Sequence, residues 1–104
     1  MSFLLEKGMK ILNRNYRTKM GEIDIIAEDG DGTLAFIEVK SARSLKYGNP
    51  LYRIGYGKQK TIASMARYYL IEHKLVGNKP CRFDVISVIG DKIDHLKNAF
   101  FASY

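Results

Sequence analysis

Two apolar runs joined by a turn dominate residues 21–40, GEIDIIAEDGDGTLAFIEVK. The Asp-Gly-Asp-Gly segment predicts the turn, because aspartate and glycine tolerate positive φ. The sequence therefore predicts a β-hairpin with strands around residues 22–28 and 34–41. Apolar side chains occur on both faces of both strands, which indicates interior strands of a sheet; these are Ile23, Ile25, Ile26, Phe36, Ile37 and Val39.

The rest of the chain supplies the other elements of an α/β fold. FLLEKG predicts the end of a helix capped by Gly8, and MKILNRNYR predicts a strand. Apolar residues at helical spacing predict a long helix over about residues 58–76, ended by Gly77. CRFDVISVIG and KIDHL predict two final strands. Because a strand–helix–strand connection joins parallel strands, we expect a mixed β-sheet flanked by helices, with strand 82–89 parallel to its neighbour.

Length and cysteine content limit the class of protein. With 104 residues and one cysteine, Cys81, the chain is expected to form a single domain, residues 1–104, in the reducing cytoplasm. No apolar run approaches the ~20 residues that span a bilayer, so no membrane partner is expected. The N-terminal MSFLLEKGMK also lacks the features of a secretory signal.

Charge is unevenly distributed along the chain, whose net charge is +6. Residues 41–71 contain no acid, and residues 7–19 contain cations and no acid. An acidic centre between basic segments suits a protein that acts on a polyanion, whereas a solvated basic surface is the alternative. Six of the eleven acids fall in the hairpin: Glu22, Asp24, Glu28, Asp29, Asp31 and Glu38.

The hairpin places charged side chains where a core would favour valine or isoleucine. If residues 29–33 form the loop, Asp24 lies opposite Glu38, and Glu22 lies opposite Lys40. Opposed carboxylates repel unless something neutralises them, and their oxygens suit Mg²⁺ or Mn²⁺ together with water and a substrate phosphate. Lys40 would then activate an attacking water or hold the scissile phosphate. The alternative is a solvent-exposed strand end with an ordinary ion pair.

The segment between the hairpin and the long helix combines cations with tyrosines. Residues 42–57 contain three glycines and a proline and show no clean period, which predicts a long functional or disordered loop. Cations neutralise phosphates and tyrosines stack on unpaired bases. A surface loop whose tyrosines fold back onto the core is an equal alternative. The predicted nucleic-acid contacts are Arg43, Lys46, Tyr47, Arg53, Lys58, Gln59 and Lys60.

Three other polar residues have structural interpretations. His73 lies on the apolar side of the predicted helix and is expected to pack in the core. His95 has no neighbouring pattern of metal ligands. Asp84 interrupts an apolar strand, where it either hydrogen-bonds the hairpin strands or faces solvent from an edge strand.

Several segments together resemble the YraN-type family of bacterial proteins, namely ILNRNYRTKMGEIDIIAEDGDGTLAFIEVKSA, YGNP, KQK, ARYYL, RFDVISV and HLKNAF. The resemblance covers nearly the whole chain from Ile11 onward. It implies a restriction-endonuclease-like PD-(D/E)xK fold, similar to that of archaeal Holliday-junction resolvases. It also implies that Asp24 and Glu38 bind the metal and that Lys40 is the catalytic lysine.

The sequence departs from the general PD-(D/E)xK motif at one position, as is usual for this branch, and from the family pattern at its start. Ile23 stands where the PD-(D/E)xK motif has a proline before the first acid. The family's first helix is longer and carries a glutamate, which related resolvases use at the metal. This sequence begins near the end of that helix, so we expect the third acid to be missing, with Glu22 as a partial substitute.

The sequence therefore predicts a metal-dependent nuclease-like protein that acts on DNA phosphodiesters, with branched DNA as one candidate substrate. A homodimer is the candidate assembly, because a junction has two-fold symmetry. The alternative is a module of the same fold with incomplete chemistry, which binds nucleic acid or recruits a partner.

Overall fold

The computed structural model of the protein describes residues 2–42 and 54–100. Residues 43–53, most of the predicted loop, lie outside the described residues. Neither helix of the described ranges has the length and apolar character needed to cross a membrane. The elements, in chain order, are α1 Ser2–Glu6, β1 Lys10–Thr18, β2 Gly21–Glu28, β3 Leu34–Ala42, α2 Tyr56–Glu72, β4 Cys81–Ile89 and β5 Lys92–Phe100.

The strands form one sheet in the order β1-β2-β3-β4-β5. Neighbouring strands are antiparallel except β3 and β4, which are parallel from Leu34↔Cys81 to Ala42↔Ile89. Parallel neighbours need a crossover connection, and α2 lies in it. The predicted strands and the parallel strand after the long helix are confirmed. The arrangement is an α/β fold consistent with the restriction-endonuclease-like class.

Hydrophobic packing forms a core on each face of the sheet. Helix α2 covers one face, where Tyr69 packs edge-on against Phe36. The short helix α1 lies on the other face, where Leu4 packs in the same core as Ile37. Because both faces of β3 are covered, residues 34–37 are all buried, as the continuous apolar run predicted.

Helix α2 begins and ends earlier than predicted, because it spans Tyr56–Glu72 rather than residues 58–76. The expected terminator, Gly77, has a φ of 79° but belongs to the turn that follows. His73 therefore lies at the C-terminal cap and is exposed, with its ring stacked on Tyr69 at a centroid distance of 4.0 Å. The prediction that His73 packs in the core is wrong.

Lys74 is the residue that ends α2. It adopts the left-handed conformation with a φ of 58°. The Leu75 N–H then donates to the Leu70 carbonyl at 2.8 Å, and the Lys74 N–H donates to the Ile71 carbonyl at 3.2 Å. These two bonds form a Schellman motif, in which glycine is the usual left-handed residue. A lysine at this position carries a steric cost that glycine would not.

Replacing Lys74 by glycine should therefore stabilise the protein. We expect Lys74→Gly to raise the free energy of unfolding by about 0.5–1 kcal/mol, as measured by chemical denaturation. Lys74→Ala is the matched control, because it removes the same charge and stem but keeps the Cβ atom that causes the strain. An equal gain in both variants would assign the effect to charge rather than to backbone conformation.

A buried polar network joins β4 to β5. The His95 Nε2 lies 2.8 Å from Asp84 Oδ2, and both side chains are almost fully buried. The Arg82 Nε donates to the two carboxylate oxygens at 3.1 and 3.0 Å, and the Asn98 N–H donates at 3.1 Å. Lys7 Nζ lies 2.8 Å from His95 Nδ1. Because an ammonium can only donate, Nδ1 is the acceptor and Nε2–H donates to Asp84.

This environment corrects both interpretations of Asp84. The side chain neither faces solvent nor bonds the hairpin strands, because its partners belong to β4 and β5. Burial opposes ionisation of the carboxyl, but hydrogen bonds from His95, Arg82 and Asn98 outweigh it and hold the pKa of Asp84 below its ordinary value. Asp84 is therefore a charged residue that the fold needs in its ionised form.

Removing this charge should destabilise the fold in a pH-dependent way. We expect Asp84→Asn to lower the free energy of unfolding by about 3 kcal/mol at pH 7, because the buried Arg82 guanidinium loses one of its two carboxylate partners. The loss should shrink below about pH 4, where Asp84 of the unfolded wild type takes up a proton, and it should vanish only at a lower pH, where the folded carboxylate is protonated too. Chemical denaturation across this pH range measures it. Asp91→Asn, at an exposed turn, is the control and should change stability by less than about 0.5 kcal/mol. A loss independent of pH would contradict the assignment.

Candidate active site

The hairpin strands separate at one end. Strands β2 and β3 pair from Glu28↔Leu34 to Ile25↔Ile37, in the register predicted from the sequence, and the ladder stops there. Strand β3 continues to pair with β4 as far as Ala42↔Ile89. Beyond Ile37, β3 therefore keeps its neighbour on the β4 side, and an opening lies between β3 and β2.

Asp24 lies at this opening. Its Oδ2 accepts the backbone N–H of Val39 at 2.7 Å, so a side chain replaces a bond of the backbone ladder. Ile23 and Ile25 pack into opposite cores, although regular alternation would place both on one face. On the adjacent strand β1, Asn15 has a φ of 51°. The irregular backbone at this point turns the Asp24 carboxylate towards β3.

Glu38 faces Asp24 from the other side of the opening. Its side chain is 11% exposed, and the Lys58 Nζ approaches its Oε2 to 3.3 Å. Burial raises the pKa of Glu38, and the neighbouring Asp24 carboxyl raises it further, while Lys58 opposes both effects. The two carboxyl groups therefore interact, although they lie one position beyond the last pair of the ladder.

Lys40 follows Glu38 by two residues, so both side chains leave β3 on the same side. It is half-buried and lies beside Ser87 in the parallel register. Among residues 2–42 and 54–100, no acid forms an ion pair with Lys40. A phosphate at the opening would thus meet an ammonium group that no described carboxylate neutralises.

Glu22 is directed to β1 instead of β3. It lies across from Arg17 in the β1–β2 register, and the Arg17 Nε is 3.2 Å from its Oε2. The expected cross-strand pair of Glu22 with Lys40 is absent from the described β2–β3 ladder. A supporting role of Glu22 at a metal stays a prediction.

The first turn of α2 carries three of the predicted nucleic-acid contacts. Lys58 points to Glu38, whereas the Gln59 side chain donates to the Ile54 carbonyl at 2.8 Å. Lys60 lies over the Tyr56 ring, 5.2 Å from its centroid. The other predicted contacts, in the loop, lie outside the described residues: Arg43, Lys46, Tyr47 and Arg53.

Sequence reasoning missed the residues that surround the opening from β1. A shallow cavity of about 270 Å³ lies beside Asp24. Two larger cavities, of about 630 and 450 Å³, lie elsewhere on the protein. Among the described residues that line them, the first cavity has no acid and the second has one, Glu72. The pair of acids at the opening, and not the size of the cavity beside it, therefore identifies the candidate site. The lining of the small cavity is Arg14, Asn15, Asp24, Ile25 and Val39.

The donor set fits a divalent cation only in part. Asp24 and Glu38 offer the hard oxygen ligands that Mg²⁺ and Mn²⁺ prefer. No group of three or more histidine, cysteine, aspartate or glutamate side chains able to hold a metal occurs in the described part of the chain. A cation held by these two carboxylates would complete its coordination with water or substrate oxygens.

Comparison with known proteins places the chain in a family. A family model described as "Uncharacterised protein family UPF0102" matches residues 1–88. The chain belongs to the uncharacterised protein family UPF0102. Its resemblance to YraN-type proteins, which belong to this family, is thereby confirmed. The match to UPF0102 extends from α1 through most of β4, so it includes the paired acids, Lys40 and the first turn of α2.

Individual UPF0102 proteins are similar to this chain over most of its length. A protein of Clostridioides difficile is 47% identical over 102 residues, which cover 96% of this chain and 88% of the relative. One from Thermodesulfovibrio yellowstonii is 46% identical over 101 residues, covering 97% and 88%. One from Persephonella marina is 43% identical over 104 residues, covering 100% and 88%.

Removing the Asp24 charge should lower the pKa of Glu38, because Asp24→Asn removes a like charge and supplies an amide donor. The amide oxygen of the new side chain could still accept the Val39 N–H, so the backbone should be preserved. We expect the metal-free variant to be about 0.2–1 kcal/mol more stable at pH 7. A raised pKa means that the folded protein favours the neutral form of Glu38. Below about pH 4 this carboxyl is neutral in the wild type and in the variant, so the gain in stability should vanish there.

Two measurements check this prediction. A ¹³C NMR titration follows the Glu38 carboxyl, and chemical denaturation follows stability at each pH. Asp91→Asn serves as the control for loss of one acidic charge. An unchanged Glu38 titration in Asp24→Asn would show that the two carboxyl groups do not interact.

Proposed function

We propose that this UPF0102 protein is a metal-dependent nuclease that acts on DNA phosphodiesters, with branched DNA among its substrates. The observation that carries the proposal is the approach of Asp24 to Glu38 at a break in the sheet, beside Lys40. Burial and the neighbouring Asp24 carboxyl both raise the pKa of Glu38, so placing this second acid beside Asp24 opposes folding at neutral pH. Such arrangements are characteristic of functional sites.

Asp24 and Glu38 would hold Mg²⁺ or Mn²⁺. When bound, the cation would polarise a phosphate oxygen of the substrate. The Val39 N–H fixes one carboxylate in place, and burial restricts the other, so the ligands need little rearrangement. This preorganisation supports a site in which the geometry is set before the substrate arrives.

Lys40 would act on the reacting phosphate. Its ammonium leaves β3 on the same side as Glu38, and it would stabilise the negative charge that develops on the phosphate oxygens or orient the attacking water. The basic residues around α2, together with the predicted loop contacts, would hold the nucleic-acid backbone electrostatically. The expected homodimer stays a prediction.

One observation favours a second function, a nucleic-acid-binding or partner-recruiting module without cleavage. Only two acids approach one another at the opening within the described residues. Mg²⁺ demands near-octahedral coordination and gives up water reluctantly, so two carboxylates would hold it weakly. The binding module keeps the basic surfaces but needs no firmly held cation.

Cleavage assays separate the two functions. Labelled linear and branched DNA would be incubated with the protein in the presence of Mg²⁺, Mn²⁺ or a chelator. We expect metal-dependent cutting, and we expect Lys40→Ala to reduce the rate at least about 100-fold while binding persists. Lys92→Ala removes the same charge at an exposed position of β5 and should cut at the wild-type rate.

Three results would contradict the nuclease. Cutting that survives Lys40→Ala would point to a contaminating enzyme or another site. Binding without cutting on every DNA tested would favour the binding module. Absence of both binding and cutting would reject the nuclease and the DNA-binding module, and would leave partner recruitment as the remaining function.

A further inference from the structure

We propose that Lys58 is an internal counter-ion, which occupies the cation position of the acid pair and transfers to the substrate phosphate when a divalent cation binds. This inference rests on the proposed metal site. It assigns Lys58 a positioning role at the centre of the site, in place of the peripheral phosphate contact expected from the sequence.

The ion pair is asymmetric in a way that permits transfer. The Lys58 Nζ lies 3.3 Å from Glu38 Oε2, yet the lysine side chain is 48% exposed and the glutamate side chain is 11% exposed. The carboxylate is therefore fixed by the fold, whereas the ammonium reaches it on a flexible stem from the surface. A mobile cation can leave without disturbing the sheet, because its stem contributes little to the core.

The first turn of α2 gives Lys58 no other compensation. It contains no acid, and the N-terminal cap, Gly55, provides no side-chain hydrogen bond. A cation here opposes the helix dipole. Among the residues that the structure describes, Glu38 is therefore the ion-pair partner that holds the ammonium at this position, and a competitor for Glu38 would release it.

A divalent cation is such a competitor. It would take the same carboxylate oxygens, and its two charges would repel the ammonium at a separation of a few Å. A phosphate bound beside the metal would then be the nearest anion to the released Lys58. The same residue would thus offset part of the charge of the acid pair in the free protein and hold substrate in the loaded one.

This exchange makes metal binding and DNA binding cooperative. Metal frees a cation for the phosphate, and DNA in turn draws Lys58 away from Glu38. By linkage, each ligand should raise the affinity for the other by the same factor. Replacing Lys58 should therefore remove part of this cooperativity between metal and DNA.

Calorimetric titration of Mn²⁺ tests the first half of the proposal. Lys58→Met keeps an apolar stem and removes the competing charge, so the Mn²⁺ affinity should rise about tenfold, or ~1.4 kcal/mol. Lys60→Met is the matched control, because it removes the same charge from the same helical turn, where the ammonium lies over Tyr56. The Mn²⁺ affinity of Lys60→Met should differ from that of the wild type by less than threefold. Thermal melts would verify that each variant is folded.

Fluorescence anisotropy with labelled DNA tests the second half. The measurement would use the Lys40→Ala background, which prevents cutting, at constant ionic strength with and without Mn²⁺. The gain in DNA affinity caused by Mn²⁺ should be about tenfold smaller when Lys58→Met is added than when Lys60→Met is added. Equal gains would overturn the transfer of Lys58 to phosphate.

The outcomes also separate this inference from the proposed function. If Asp24→Asn abolishes Mn²⁺ binding but Lys58→Met leaves it unchanged, the metal site stands and the counter-ion role is wrong. If neither the wild type nor Lys58→Met binds Mn²⁺ at millimolar concentration while both are folded, the metal site itself is rejected, and the inference with it.

Discussion

The hydrogen bond from the Val39 N–H to the Asp24 carboxylate allows β2 and β3 to separate inside an otherwise continuous sheet. A strand cannot leave its neighbour in a buried region unless its backbone donors find other partners. Asp24 satisfies one such donor with a side chain, and the opening forms where the ladder would have continued. The same bond fixes Asp24 close to Glu38. Fold and site therefore depend on one contact.

The two groups of buried charge in this protein differ in how completely they are compensated. Asp84 receives hydrogen bonds from His95, Arg82 and Asn98, and its pKa is lowered. At the opening, burial and a second acid raise the pKa of Glu38, and an exposed lysine compensates only in part. The Asp84 carboxylate itself is held by three donors, which suits a structural role, although the buried Arg82 Nη2 has no hydrogen-bond partner among the described residues. The acid pair at the opening is compensated less completely and leaves interaction energy for a ligand, which is why the opening supports a functional assignment.

Much of the fold and part of the site followed from local patterns. The DGDG turn set the hairpin register, because the number of loop residues determines which positions face each other, and this brought Asp24 towards Glu38. The end of α2 could not be predicted in the same way. Two left-handed positions compete after the helix, at Lys74 and Gly77, and the packing of Leu75 into the α2-side core selects the less favourable residue. Intrinsic preference pointed to the glycine.

The sequence by itself determined the α/β class, the order of the strands along the chain and the paired acids, because periodicity and turn residues act over short distances. Only the tertiary structure decided that Lys58 meets Glu38, that Glu22 turns to Arg17 and that Asp84 is satisfied by β5. Each of these contacts joins residues that are distant in the chain, or residues of a strand that has a neighbouring strand on both sides. A side chain between two strands has no local signal for which neighbour it will meet, since that choice depends on where the sheet twists and opens.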